Sequence, residues 1–109
     1  MSDARALAKQ AFAHLANDRV EEAVARYREA VALDPGLAIA WNGLAMALGQ
    51  QGDLDGALAA SRRLVELEPD DPLGHTNLSL FYMRKGMIPE AEAEKALAMR
   101  LQMKQPGSR

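Results

Sequence analysis

Apolar residues recur along the chain at the three- and four-residue spacing of an amphipathic helix. In the central stretch, one predicted helical face consists of Trp41, Leu44, Ala45 and Leu48. The pattern breaks at residues 51–53, where a glycine favours the end of one helix and an aspartate favours the start of the next. A second apolar stripe follows over 54–67 and stops before Pro69. Residues 38–71 therefore form one predicted helix–turn–helix unit.

The same periodicity covers the whole chain of 109 residues and predicts a single all-α domain. Alanine and leucine, which favour helices, dominate the apolar fraction, and runs of the β-branched residues typical of strands are missing. Six helices are predicted, at about 4–17, 20–33, 38–51, 54–67, 72–85 and 88–104.

Residues of like character recur 34 positions apart, which indicates tandem structural repeats. The matching columns are Ala23, Ala57 and Ala91; Val20, Leu54 and Ile88; Val31, Val65 and Met99; and Leu33, Leu67 and Leu101. A loop column consists of Asp18, Gly52 and Gly86. Pro35 and Pro69 match in the first two copies, whereas Met103 replaces them in the third.

These columns resemble the tetratricopeptide repeat, whose signature places Trp, Leu-Gly and Tyr in a first helix and Ala, Phe, Ala and Pro in a second. The second copy carries the resemblance best, through Trp41, Leu44, Ala45, Leu48, Ala57 and Pro69. The resemblance implies a short right-handed α-solenoid over 4–105, with repeats 4–37, 38–71 and 72–105 and a tail at 106–109. It also implies that small residues let the paired helices approach closely, namely Ala11, Ala45 and Ser79 against Ala23, Ala57 and Ala91.

In this family the first helices of successive repeats line a concave groove that holds an extended or helical peptide. Carried over to this sequence, the resemblance assigns the groove to Arg5, Lys9, Phe12, Ile39, Asn42, Met46, Gln50, Leu73, Thr76, Asn77, Leu80 and Arg84. The expected function is protein–protein interaction with a segment that carries apolar side chains. Arg5, Lys9 and Arg84 would supply basic points, and the amides of Asn42 and Asn77 suit a peptide backbone.

One subtype of the family grips a terminal carboxylate with Lys, Asn and Arg side chains. The corresponding columns here hold Ala8, Phe12, Gly43, Leu73 and Asn77, so this carboxylate clamp is disfavoured.

The alternative function is a self-assembling scaffold that oligomerises through the sixth helix. Members of the family often end with an additional solvating helix, and repeat arrays need polar caps. The sixth helix instead carries four apolar residues as a candidate self-association surface, Leu97, Met99, Leu101 and Met103.

Composition excludes several other functions. A net charge of -2 gives no electrostatic footprint for nucleic acid, and no apolar run reaches the roughly 20 residues of a membrane span. The lack of cysteine excludes disulfides and thiol chemistry. The amino end lacks the uninterrupted apolar region of a secretory signal, so a cytoplasmic location is the default expectation, with a cysteine-free domain of an exported protein as the alternative.

No catalytic set, phosphate-binding loop or cofactor motif is found, so we expect no enzyme activity, no cofactor and no metal. His14 and His75 are expected to be packed within the repeats, and Glu90 and Glu94 are expected to form a solvated acidic face. Trp41 is expected to be a main element of the packing between helices.

Overall fold

The computed structural model of the chain describes residues 2–104, without the side chain of Ser2. Within this range all regular structure is helical, which confirms the all-α prediction. The helices are α1 (Ser2–Ala16), α2 (Val20–Leu33), α3 (Ala38–Gln51), α4 (Leu54–Leu67), α5 (Pro72–Arg84) and α6 (Ile88–Lys104). The predicted tail at 106–109 lies outside the described residues. None of the six helices is both long and apolar enough to cross a membrane.

Two aspartates start helices, and Asp53 does so as its position in the sequence predicts. The Asp53 carboxylate accepts a hydrogen bond from the backbone N–H of Gly56 at 2.9 Å, which caps α4. The Asp71 carboxylate accepts one from the backbone N–H of Leu73 at 3.0 Å and caps α5. Each satisfies a donor that the first turn of a helix would otherwise leave unpaired.

The three turns inside the repeats share one backbone conformation, a residue with a positive φ angle. Asp18, Gly52 and Gly86 have φ angles of 66°, 87° and 80°. This left-handed conformation suits glycine, and aspartate tolerates it better than most other residues. The backbone conformation of the turn therefore also repeats every 34 residues.

The helices pack as the antiparallel pairs α1–α2, α3–α4 and α5–α6, and each later pair also packs against the one before it. The expected small residues Ala11, Ala23, Ala45 and Ala57 have no solvent exposure. In the third pair, the corresponding small residues are Ser79 and Ala91, and the hydroxyl of Ser79 donates a hydrogen bond to the carbonyl oxygen of Ala91 at 2.8 Å.

Trp41 is half-buried and packs against the core cluster from its edge. Its indole N–H donates to the carbonyl oxygen of Pro35 at 2.7 Å. The guanidinium of Arg63 lies 5.5 Å from the centroid of its ring, within range of a cation–π contact. The indole thus ties the second repeat to the preceding loop and to α4 from the edge of the core.

The expected solvated acidic face is wrong in part. Glu90 is exposed, but the Glu94 carboxylate lies 2.6 Å from Nδ1 of His75, and both side chains are largely buried. This contact joins α5 to α6. His14 is half-buried, in line with its predicted packing role.

The close contact within each helix pair generates a stability prediction. We expect Ala57→Leu to lower the free energy of unfolding by about 1–3 kcal/mol, because the added carbons must displace closely packed neighbours. Ala59→Leu, on the exposed side of the same helix, is the matched control and should change stability by no more than about 0.5 kcal/mol. Urea unfolding followed by circular dichroism measures both variants, and equal effects would contradict the packing argument.

Candidate functional site

Large apolar side chains stand exposed on the first helix of every repeat. Phe12, Met46 and Leu80 occupy one column of the repeat and are 67%, 37% and 43% exposed. Ile39 and Leu73 form a second exposed column on the same helices. Since α1 packs against α3 and α3 against α5, these residues lie on neighbouring helices, and we call the surface that carries these two columns the groove face.

A cavity of about 440 Å³ opens at the α1–α3 end of the groove face. Predicted groove residues form most of its lining, together with Leu15 from α1 and Tyr27 from α2. The full lining is Arg5, Ala8, Lys9, Phe12, Leu15, Tyr27, Ile39, Asn42, Gly43 and Met46. We call this space the first cavity.

Tyr27 reaches the floor of the first cavity because α3 has a glycine opposite its ring. A Cβ atom added to Gly43 would lie 2.2 Å from Cζ of Tyr27 and 2.5 Å from its hydroxyl oxygen, which is far inside contact distance. The absence of a side chain at Gly43 therefore lets the tip of the ring rest against the helix backbone.

The Tyr27 hydroxyl is an open hydrogen-bonding group. The residue is only 4% exposed, and its hydroxyl has no hydrogen-bond partner among residues 2–104. Over the same residues, no fully buried side-chain nitrogen or oxygen lacks a partner, so this hydroxyl must reach the open space of the cavity. Burial raises the pKa of Tyr27 above its usual value, which keeps the group a neutral donor.

Two basic side chains stand at the edge of the first cavity. Arg5 and Lys9 are exposed on α1, and neither has an ion-pair partner within 3–104. Although the chain has a net charge of -2, this end of the groove face is locally positive.

The two predicted amide groups lie together. The Asn77 side-chain nitrogen donates to Oδ1 of Asn42 at 2.7 Å, and Asn77 is buried while Asn42 lines the first cavity. The Asn77 amide is thus committed to the contact between α3 and α5. The guanidinium of Arg84 donates to the carbonyl oxygen of Gly49 at 3.0 Å, so this predicted basic point is partly occupied in the same way.

The other end of the groove face joins the surface that was predicted for self-association. A second cavity, of about 370 Å³, is lined by Thr76, Ser79, Leu80, Lys95, Ala98, Met99 and Gln102. Met99 therefore borders the same space as the groove residues Thr76 and Leu80. Met99 and Met103 are exposed, whereas Leu97 and Leu101 are half-buried. Gln50, the remaining predicted groove residue, is exposed at the end of α3.

Sequence reasoning missed the contributions of the second helices. Tyr27 matches a packing column of the repeat, and Lys95 departs from the same column. The signal for Tyr27 was Gly43, since glycine inside a helix often marks a close approach by another group. Within residues 2–104, no group of three His, Asp or Glu side chains is placed to hold a metal ion.

The family of the chain is shown by a tetratricopeptide repeat model that matches residues 8–72 and again residues 42–106. The chain belongs to the tetratricopeptide repeat family. The two matched windows are offset by 34 residues, the period found in the sequence. No protein of curated function matches the chain significantly.

Solved tetratricopeptide repeat (TPR) and related structures have the same fold. The chain is similar to the crystal structure of MamA, with a TM-score of 0.90 and 24% identity, over 94% of this chain and 60% of that chain. It is similar to the Yersinia enterocolitica type III secretion translocator chaperone SycD, with a TM-score of 0.91 and 21% identity, over 97% of this chain and 80% of that one. A third similar structure is the second TPR of Spaghetti (RPAP3) bound to the HSP90 peptide SRMEEVD, with a TM-score of 0.85, 16% identity, and coverage of 91% and 92%.

The buried tyrosine generates a pH prediction. Because the pKa of Tyr27 is raised in the folded state, the unfolded chain loses this proton first as pH rises past about 10. The contribution of Tyr27 to stability is therefore complete below that pH and declines as pH approaches the folded pKa. We expect the free energy of unfolding to fall more steeply above pH 9 to 10 in the native protein than in Tyr27→Phe, as measured by urea titration at each pH. Parallel curves would contradict a raised pKa.

Proposed function

We propose that this protein binds a segment of a partner protein along the groove face. The observation that carries the proposal is the exposed column of Phe12, Met46 and Leu80, which repeats one large apolar side chain in each first helix. Large apolar patches that are exposed on a protein surface mark interaction sites. A segment laid across the three helices would cover all three side chains.

The first cavity supplies a concave end to this surface. Its volume of about 440 Å³ falls in the range of roughly 300–1,000 Å³ that is typical of ligand pockets, and its lining is mainly apolar. Burial of apolar area contributes about 25 cal/mol per Å², so a partner side chain in this cavity would contribute much of the affinity.

The Spaghetti structure shows that a relative with this fold can hold a short peptide. The columns that would form a carboxylate clamp carry Ala8, Phe12 and Gly43 in this chain, none of which is charged. We therefore infer a partner that is recognised mainly through apolar side chains. A role in binding rather than catalysis agrees with the absence of a recognised catalytic set in the sequence.

A pair of matched substitutions tests the groove face. A peptide selected from a random library displayed on phage, with the protein as target, serves as the probe. We expect Phe12→Ala to weaken binding of this peptide by roughly tenfold, since burial of a large apolar side chain contributes about 1.5–3 kcal/mol and 1.4 kcal/mol is tenfold in affinity. Isothermal calorimetry measures the affinity.

Leu33→Ala is the control for this experiment. Leu33 is 60% exposed, close to the exposure of Phe12, but it lies at the end of α2, outside the groove face. Its replacement should leave the affinity unchanged. If both substitutions weaken binding equally, or if neither does, the groove face is not the binding surface.

Self-assembly through α6 is a second candidate function, and the exposure of Met99 and Met103 favours it. These residues are one helical turn apart and so share a face. Two charged residues on α6 weigh against a dry interface there. Glu92 is exposed, although the same repeat column holds buried Val24 and Leu58 in the earlier repeats. Lys95 is also exposed, although its column holds buried Tyr27 in the first repeat. The groove face is therefore the better supported surface.

The second function makes its own prediction. If α6 mediates assembly, the mass from sedimentation should rise with protein concentration, and Met99→Lys with Met103→Lys should abolish the rise, because lysine ammonium groups would repel one another across a symmetric interface. Phe12→Lys is the matched control and should leave the rise intact. A constant monomer mass across concentrations would refute self-assembly.

A further inference from the structure

The first cavity combines three features that the rest of the groove face lacks. Its walls are apolar, its floor bears the open hydroxyl of Tyr27, and its edge bears the unpaired charges of Arg5 and Lys9. At the opposite end of the groove face, the Arg84 guanidinium and the Asn77 amide already contact protein groups. The second cavity borders the exposed Lys95, but the hydroxyls of Thr76 and Ser79 already donate to the carbonyl oxygens of Pro72 and Ala91. The open hydroxyl beside basic groups therefore distinguishes the α1–α3 end.

The hydroxyl is the most informative of these features. A phenol that is almost wholly buried usually finds a hydrogen-bond partner within the protein, because an unmade bond in a buried place is costly. Tyr27 instead keeps its hydroxyl unpaired at a cavity floor, and it can do so only because Gly43 leaves room for the ring tip. The group is in position to donate to an acceptor that enters from outside.

We propose that the first cavity is an anchor site for a large apolar side chain next to a carboxylate in the partner segment. In this arrangement, which rests on the proposed function, the apolar side chain fills the cavity between Phe12 and Met46. A main-chain carbonyl of the partner accepts a hydrogen bond from Tyr27, and the neighbouring carboxylate lies at Arg5 and Lys9.

The sizes and charges fit this occupant. An apolar cavity of about 150 Å³ holds one benzene molecule, so about 440 Å³ has room for a large side chain and its adjoining main chain. The only charges among the lining residues are positive, so an acidic neighbour is favoured and a basic one is repelled. The carboxylate belongs to an Asp or Glu side chain within the segment, because the columns that would clamp a terminal carboxylate carry no charged residue in this chain.

Four capped dipeptides serve as probes, with binding followed by backbone amide shifts in NMR. N-acetyl-phenylalanyl-glutamate N-methylamide carries the ring and a side-chain carboxylate. Phenylalanyl-glutamine with the same caps removes the charge, and alanyl-glutamate removes the ring. N-acetyl-phenylalanyl-glutamine with a free carboxyl end moves the charge to the terminus.

We expect the phenylalanyl-glutamate probe to shift the amides of α1 and α3 residues that line the first cavity. The uncharged analogue should bind about two- to fivefold more weakly, as suits exposed charge pairs, and the alanyl analogue should not bind measurably. Stronger binding by the free carboxyl end than by the glutamate probe would overturn the assignment to an internal acidic residue.

Two sets of variants test the named side chains. Tyr27→Phe removes only the hydroxyl and should weaken binding of the glutamate probe about three- to tenfold, with Tyr82→Phe as a control at the far end of the molecule. Arg5→Gln with Lys9→Gln should abolish the preference for glutamate over glutamine and retain the preference for phenylalanine, with Arg100→Gln as the matched control. These two basic residues are exposed, so this arm does not depend on how Tyr27→Phe folds.

Failure of this inference is distinct from failure of the proposed function. Equal binding of the glutamate and glutamine probes, unchanged affinity in folded Tyr27→Phe, or no shifts at the solubility limit of the probes would each overturn the anchor site. The groove function would survive any of these results if the phage-selected peptide still depended on Phe12. Loss of that dependence would remove the groove function as well.

Discussion

The close approach of paired helices is the constraint on which the rest of this structure depends. The side chains of Ala11, Ala23, Ala45 and Ala57 are fully buried, and small residues at such contacts let paired helices approach closely. The contact between the two helices sets the tilt and spacing of each pair, and the 34-residue period then repeats that geometry in the next pair. The positions of α1, α3 and α5 follow from this repetition rather than from any single strong interaction.

The groove face is a consequence of the same packing. Each first helix uses one side for its partner and for the neighbouring repeat, and the remaining side carries a residue of the column formed by Phe12, Met46 and Leu80. Polar groups on this side mostly serve the scaffold, as the bond between Asn42 and Asn77 shows. The cost of burying an amide explains why such a pair forms inside the array.

Sequence alone predicted what depends on periodicity. The six helices, the 34-residue columns, the helix end at Gly52 and the cap at Asp53 follow from local pattern. The contact between the small columns was implied by the family resemblance. The contacts it missed depend on how one helix is rotated against another, which no local pattern specifies. Glu94 contacts His75, which is nineteen residues away, and Tyr27 of the first repeat packs against Gly43 of the second. The groove columns themselves came from family resemblance, and their role in binding is still a prediction.

The ring of Tyr27 over Gly43 has a consequence for how the two ends of the groove face can change in evolution. At this end the floor of the site is also packed interior, so an altered residue changes helix packing together with pocket shape, and stability limits which variants survive. At the other end, Leu80 and Met99 are exposed, and substitutions there mostly leave stability unaffected. We therefore expect related chains to vary in sequence at the end with Leu80 and Met99 and to retain the residues at the α1–α3 end.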